Sequence, residues 1–405
     1  MPVGISGAIS GAISGASAFA TDVYVQRLTL THFRNYEQLQ LDLPAMADGG
    51  GAPVVLYGPN GAGKTNLLEA LSLLSPGRGL RRASRGDFPS YYRPDDISDN
   101  TPSAATPLWA ISAQIQTAAG SLRAGTGLSA DKPEGARLFA LDGARSTAGQ
   151  LASHFALSWL TPQMDGLFIG SPAARRRFID RLVIAFDPAH SARLSRYEKC
   201  YRERQKLMQS GAEATWIEAL ETQLGESGVA IMAARAALVR VLSEAAYQGD
   251  EAFGFPRVHM AMRGGGGEWL DHEPAALVED KIKQDAAMRR QRGDFAMLGP
   301  QAQDLDTIHL AKNQPAHLAS TGEQKALMIA AILAHARLQH SRLSRPPLLL
   351  LDDVAAHLDE TRRACLFAAT AELKGQVWYS GTDKSSFVKL AQIAQFLHVE
   401  DGKIS

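Results

Sequence analysis

Residues 57–71, "YGPNGAGKTNLLEAL", join a glycine-rich turn to an amphipathic helical repeat, and the reading of that junction decides the fold. Gly58-Pro59-Asn60-Gly61-Ala62-Gly63-Lys64-Thr65 fits G-x-x-x-x-G-K-[ST] with no mismatch. Glycines at these spacings let the backbone curl so that its N–H groups face one anion. A lysine then bridges the β- and γ-phosphates, and a threonine hydroxyl coordinates Mg²⁺. The short apolar run "APVVLY" ahead of the turn reads as a buried strand, and the segment behind it reads as a helix, the context this motif requires. The plainer account is a glycine turn that matches by accident, which average composition makes about a one-in-a-hundred event for a chain of this size.

A phosphate loop needs a carboxylate strand for the metal. "LLLL", residues 348–351, predicts a buried strand that ends in Asp352 and Asp353. Asp352 would bind Mg²⁺ through water and Asp353 would polarise the attacking water. Alone, the pair reads equally well as a helix cap after a strand.

The third element is "LASTGEQKALMIAAILAHARL", residues 318–338, in which Ser320 and Glu323 have capping-box spacing ahead of an apolar helix. A well-capped helix accounts for that much. The stretch also precedes the carboxylate strand by about one helix, where ATP-binding-cassette proteins carry a Ser-Gly-Gly-Gln signature. On that likeness Ser320, Thr321, Gly322, Glu323 and Gln324 would face the γ-phosphate of a partner subunit's nucleotide. A head-to-tail homodimer with two ATP molecules in its interface follows. The expected fold class is α/β, an ABC-type ATPase head split by a mainly helical inserted domain.

The bulk composition is that of a soluble globular protein: 405 residues, 45% hydrophobic, 21% charged, with zero formal net charge. Any basic surface must therefore be local. The two cysteines, Cys200 and Cys365, lie far apart without metal-ligand spacing and read as reduced thiols of a cytoplasmic protein. Residues 1–21 lack a basic n-region and are broken by Gly and Ser, which predicts a flexible tail rather than a signal peptide. No run approaches the roughly 18 apolar residues of a membrane span, so no membrane partner is expected.

The texture changes along the chain. "VYVQRLTLTHFRNYEQLQLDL" (23–43) predicts two strands around a turn, and residues 98–143 read as hairpins. From Ser171 the chain turns to long helices, the first two opened by Ser-Pro and Asp-Pro. These textures predict a head in two parts, 22–170 and 296–405, with a helical insertion at 171–295. Between Ser171 and Ser210 ten basic residues outnumber four acids, a local excess suited to duplex phosphates. Candidate DNA contacts are Arg175, Arg176, Arg177, Arg193, Arg196 and Arg202; the alternative is long exposed helices whose charges pair internally. Arg78, Arg81, Arg82 and Arg85 form a second basic run. No aromatic-interleaved strand face suggests base stacking, so sequence-independent, salt-sensitive duplex binding is expected.

Taken together, "LTLTHFRNY", "GPNGAGKTNLLEALSLLSPGRGLR", "GSPAARRRFIDRLV", "LASTGEQKALMIAAILA" and "LLLLDDVAAHLDETRR" resemble the RecF family of recombination mediators over about residues 28–382. The resemblance implies a DNA-stimulated ATPase of slow turnover. It would form an ATP-dependent dimer that binds double-stranded DNA and gapped junctions, and with RecO and RecR would help load RecA on single-stranded gaps. It also places a D-loop at residues 356–359 and makes Gln163 a metal-sensing glutamine. The family's "GPHRDD" element is here Gly299-Pro300-Gln301-Ala302-Gln303-Asp304, without its His and Arg. A transporter ATPase subunit would leave the insertion and basic patch unexplained, an SMC protein needs several hundred residues of heptads, and a non-hydrolysing DNA scaffold would not need Lys64, Thr65, Asp352 and Asp353.

Overall fold

Alternation in "YVQRLTLTHF" turns Val25, Leu28, Leu30 and Phe33 inward. Two residues here take the left-handed region, His32 (φ 48°) near the end of that strand and Arg34 (φ 58°) in the turn that follows. The computed structural model describes residues 22–47, 49–83, 88, 107–129, 135–249, 254–343, 346–355 and 358–405. The tail expected at 1–21, Arg85 and the first two residues of the expected D-loop lie outside them.

In chain order the elements are β1 (Tyr24–Phe33), β2 (Tyr36–Asp42), β3 (Val54–Tyr57), α1 (Lys64–Ser72), β4 (Pro107–Thr117), β5 (Gly120–Ser129), β6 (Leu138–Leu141), β7 (Ala144–Ser146), α2 (Ala148–Ala152) and β8 (Leu157–Leu160). Then come α3 (Pro172–Ile184), α4 (Ala189–Ser210), α5 (Ala214–Gly249), β9 (Val258–Gly264), α6 (Ala275–Gln291), β10 (Gln303–His309), β11 (Gln314–Pro315) and α7 (Thr321–Leu343). The chain closes with β12 (Leu348–Leu351), α8 (Glu360–Ala371), β13 (Val377–Gly381), β14 (Gln395–Glu400) and β15 (Lys403–Ile404).

Two units result. The first comprises residues 1–164, 252–255 and 332–405, and the second 165–251 and 256–331. In the first, an antiparallel sheet of order β2-β1-β4-β5-β6-β7 accompanies a second sheet of order β15-β14-β3-β13-β12-β8. β14, β3, β13, β12 and β8 run parallel, so their connections leave from one edge. The continuous apolar runs of β3 and β12 fit their burial on both faces. Leu56, Leu67, Leu71, Trp109, Ile111, Leu350 and Trp378 share one core, so α1 is fixed between the sheets by its apolar face. Ligands of open α/β sheets bind at the carboxyl edge of the strands, and here that edge carries the phosphate loop, Asp352, Ser380 and Gln163.

The second unit contains the long helices, but it is not helical throughout. β9 pairs antiparallel with β10 from Gln303↔Gly264 to His309↔Val258, and β11 adds a third strand. Residues 296–331 thereby join this unit, whereas texture alone would have assigned them to the head. The strict alternation of burial along β10 explains why it needs a sheet of its own. Pro172 and Ser171 open α3 with a Ser171 Oγ bond from the Ala174 N–H, and Asp187 accepts from the Ala189 N–H ahead of α4. Gly264, Gly265 and Gly266 all take positive φ, and a side chain at Gly265 would sit 2.3 Å from the Gly299 carbonyl oxygen. Among the described residues no helix is long and apolar enough to cross a membrane.

Candidate nucleotide site

Gly58, Gly61 and Gly63 have φ of 143°, 82° and 117°, so the loop between β3 and α1 follows a path that side chains resist. Space reinforces this. A Cβ at Gly58 would lie 2.1 Å from the Val399 carbonyl oxygen, and one at Gly63 would lie 2.5 Å from Asn35 Nδ2. Gly63 can supply no side-chain cap and the first turn of α1 carries no acid, so nothing anionic competes at that helix N-terminus. Lys64 is buried and its ammonium donates to the carbonyls of Gly58 and Pro59, each at 2.7 Å. Burial lowers its pKa, against the raising influence of Asp353 and Asp352.

The loop is braced from elements distant in sequence. Asn35 Nδ2 donates to the Ala62 carbonyl at 3.0 Å and Tyr36 Oη donates to the Gly63 carbonyl at 3.2 Å. The Gly402 N–H reaches the same Ala62 carbonyl at 3.1 Å. Beneath them Glu69 of α1, fully buried, takes two bonds from Arg34 at 2.9 and 3.0 Å and a weaker one from Arg81 at 3.5 Å. Arg81 also donates to Asn66 Oδ1 at 2.5 Å. None of Arg34, Asn35, Tyr36, Glu69 or Gly402 was evident as a site residue. The "FRNY" turn was legible only as a turn, because its purpose depends on what folds beside it.

Opposite the loop, Asp352 is buried and its Oδ1 accepts from Thr65 Oγ1 at 2.9 Å and from Ser380 Oγ at 2.7 Å. Burial pushes its carboxyl pKa up, and the bonds from Ser380 and Thr65 restrain the rise. Asp353 has φ 51°, and its N–H donates to Ser380 Oγ at 2.9 Å. Aspartate tolerates this left-handed geometry better than most residues. Asn60, Gly61, Lys64, Thr65, Arg81, Asp352, Asp353 and Ser380 all line one cavity of about 120 Å³. Thr65 and the two aspartates offer hard oxygen donors. That suits Mg²⁺, which takes one or two carboxylates with phosphates and water, and among the described residues no richer acid or histidine cluster competes. Ser380, which no local motif marks, ties the two aspartates together.

In the second unit Ser320 and Glu323 form the expected capping box. The Ser320 N–H and Oγ both donate to Glu323 Oε2 at 2.9 Å, and the Glu323 N–H returns to Ser320 Oγ at 3.4 Å. Lys312 is ion-paired to the same carboxylate. Together, first the lysine and then the serine, they bring the Glu323 carboxyl down to about 2. Ser320, Thr321 and Gly322 are exposed. Gln324 is not: it is buried, and its amide donates to the Ala319 carbonyl at 2.9 Å.

Gln163 is exposed on the turn after β8 and is not among the residues lining the phosphate cavity. The basic patch divides. Arg175 makes two 2.7 Å bonds to Asp304 and donates to the carbonyls of Phe168 and Gly170, while Arg176 donates to the Gln303 carbonyl at 2.7 Å. Their guanidiniums hold α3 to β10. Arg193 pairs with Asp187. Arg177, Arg196, Lys199, Arg202 and Lys206 are exposed. The altered "GPQAQD" element is absorbed internally. Gln301 accepts from Tyr197 Oη, and Gln303 and the Pro300 carbonyl accept from Arg235, which is itself bidentate to Asp180 at 2.8 Å.

A family model described as the RecF/RecN/SMC N-terminal domain matches residues 24–405. The curated "DNA replication and repair protein RecF" of Mesorhizobium japonicum is 42% identical over 386 residues, covering 94% of this chain and 97% of its own. That of Rhizobium etli is 40% identical over 390 residues, covering 94% and 98%. Among solved structures, the recombination mediator protein RecF-ATPrS in the RecFOR pathway superposes with a TM-score of 0.77 at 19% identity, covering 96% of this chain and 99% of that one. An Smc head bound to the C-terminal winged-helix domain of ScpA gives 0.50 at 14% identity, covering 94% and 97%. These two likenesses are of fold.

Proposed function

The chain belongs to the RecF family of DNA replication and repair proteins, and from that membership we propose that it is an ATP-dependent DNA clasp of recombinational repair. Its ATP-binding head has the ABC/SMC-type fold. The observation that carries the proposal is the convergence of Lys64, Thr65, Asp352, Asp353 and Ser380 on one small cavity, from three parallel strands of one sheet. The loop from Gly58 to Gly63 cradles phosphates through its N–H groups, and Lys64 supplies the cation at the outer phosphates. Thr65 and Asp352 would hold Mg²⁺, which neutralises charge on the phosphates when bound. Asp353 is the base that orients and polarises the attacking water. Gln163, on the turn after β8, would serve as the metal sensor.

The cavity is half a site. Ser320, Thr321 and Gly322 of a second copy complete it, so ATP drives head-to-tail dimerisation and hydrolysis releases it. Duplex and gapped DNA are held by the exposed Arg177, Arg196 and Arg202 with Lys199 and Lys206, through phosphates rather than base edges. RecO and RecR are the partners, and RecA loading on single-stranded gaps is the outcome. Light scattering with and without ATP and gapped DNA tests this: the mass should double with ATP alone. A mass unchanged by ATP at micromolar protein would sink the dimer. In the same series Arg196→Glu with Arg202→Glu should weaken duplex binding and lower its salt slope by about two, and an unaltered slope would remove α4 from the DNA surface.

A further inference from the structure

The signature turn carries an anion where its proposed ligand is also anionic. Glu323 Oε2 accepts both the Ser320 N–H and the Ser320 Oγ–H at 2.9 Å, so the hydroxyl proton and the backbone donor that a phosphate oxygen would use are both engaged. The neighbours are turned away: Gln324 donates to the Ala319 carbonyl and Lys325 pairs with Asp165 at 3.3 Å. Glu323 is thus the charged side chain at that turn, and two anions on one helix N-terminus repel. A cation is already in place. Lys312 reaches the other carboxylate oxygen, Oε1, from the turn that follows β10, with about half of its side chain in solvent. Asn313 with φ 45° and the Gln314 bond to the Leu318 carbonyl at 2.8 Å fold that turn back toward the helix start.

We propose that Glu323 is an anionic gate on the signature turn, occupying the Ser320 hydroxyl until the γ-phosphate of nucleotide bound to a second copy displaces it, and that Lys312 is the positioning residue that draws the carboxylate aside. The inference rests on the reading that Ser320 completes the partner's site. Glutamine fits the same capping box without the charge, so Glu323→Gln keeps the helix start and removes the gate.

The test is ATP-dependent dimerisation by sedimentation velocity, alongside fluorescent-ATP titration of the monomer. Lys312→Ala should raise the concentration for half-dimerisation by roughly fivefold to tenfold and leave monomer ATP affinity unchanged. Glu323→Gln alone should lower that concentration, and in the Lys312→Ala background it should restore dimerisation to within about twofold of the parent. If Lys312 merely strengthened the helix start, the two changes would add as losses, and that outcome overturns the gate. So does a Lys312→Ala dimer indistinguishable from the parent. Ser320→Ala separates the premises: if it dimerises normally the signature reading fails, whereas if it fails to dimerise and Glu323→Gln gives no rescue, only the gate is lost.

Discussion

The two helix starts offered for phosphate, at Lys64 and at Thr321, are opposites in construction. The first has glycine at its cap, no acid in its first turn and bonds from Asn35, Tyr36 and Gly402 holding the loop from behind. The second is exposed, and its own Ser320 and Glu323 satisfy each other. A helix end that is not capped by its own side chains but is fixed in shape is prepared for an external anion before that anion arrives. A helix end that caps itself is stable alone and must exchange one partner for another. The first can receive an anion as it stands, and the second only by giving up a bond it already has.

Four measurements would break or sharpen that contrast. Asp353→Asn should leave ATP binding and dimerisation intact while lowering turnover by roughly 10² to 10⁴; loss of dimerisation in step with turnover would show that Asp353 shapes the loop instead. Lys64→Ala should weaken ATP binding by about a hundredfold in calorimetry, with dimerisation lost in consequence, and a small loss would mean that the N–H groups of the loop dominate. Glu69→Gln leaves Arg34 and Arg81 without their shared anion and should cost about 2–3 kcal/mol in denaturant unfolding; a neutral result would mean that the brace under α1 is dispensable. The smallest effect concerns the second turn. Because Glu323 is held at about 2, below its ordinary 4.5, its capping contribution is complete above that ordinary value and is lost as pH falls toward about 2. Exchange of the Ser320 amide, which donates to that carboxylate, reads it against pH, and protection that does not change between pH 5 and 2 would dismiss the carboxylate.

What was legible in the sequence was whatever a short stretch determines by itself. The phosphate loop, the carboxylate strand, the Ser-Pro and Asp-Pro helix starts and the capping box each depend on residues within a few positions of one another. What escaped depends on distant partners. Asn35 and Gly402 meet at Ala62, Arg34 meets Glu69, and Ser380 meets Asp352, and spacing encodes none of these. The same limit applies to Arg175 and Arg176: a count of charges sees ten bases and four acids between 171 and 210, but not that Asp304 and the Gln303 carbonyl lie within reach. The boundary of the second unit was displaced because β10 resembles head strands locally and is claimed by β9 only in three dimensions.

The bond from Gly402 to Ala62, with Val399 closing over Gly58, has a consequence for biosynthesis. A chain leaving the ribosome displays its phosphate-binding residues by Thr65, then emits the whole second unit, and only with β14 and β15 acquires the clamp that gives the loop its shape. Pairings across so long a stretch of sequence form late. Affinity for nucleotide should therefore appear abruptly once β14 and β15 have emerged, and ATP would act as an inspector that recognises finished heads and ignores those still being made.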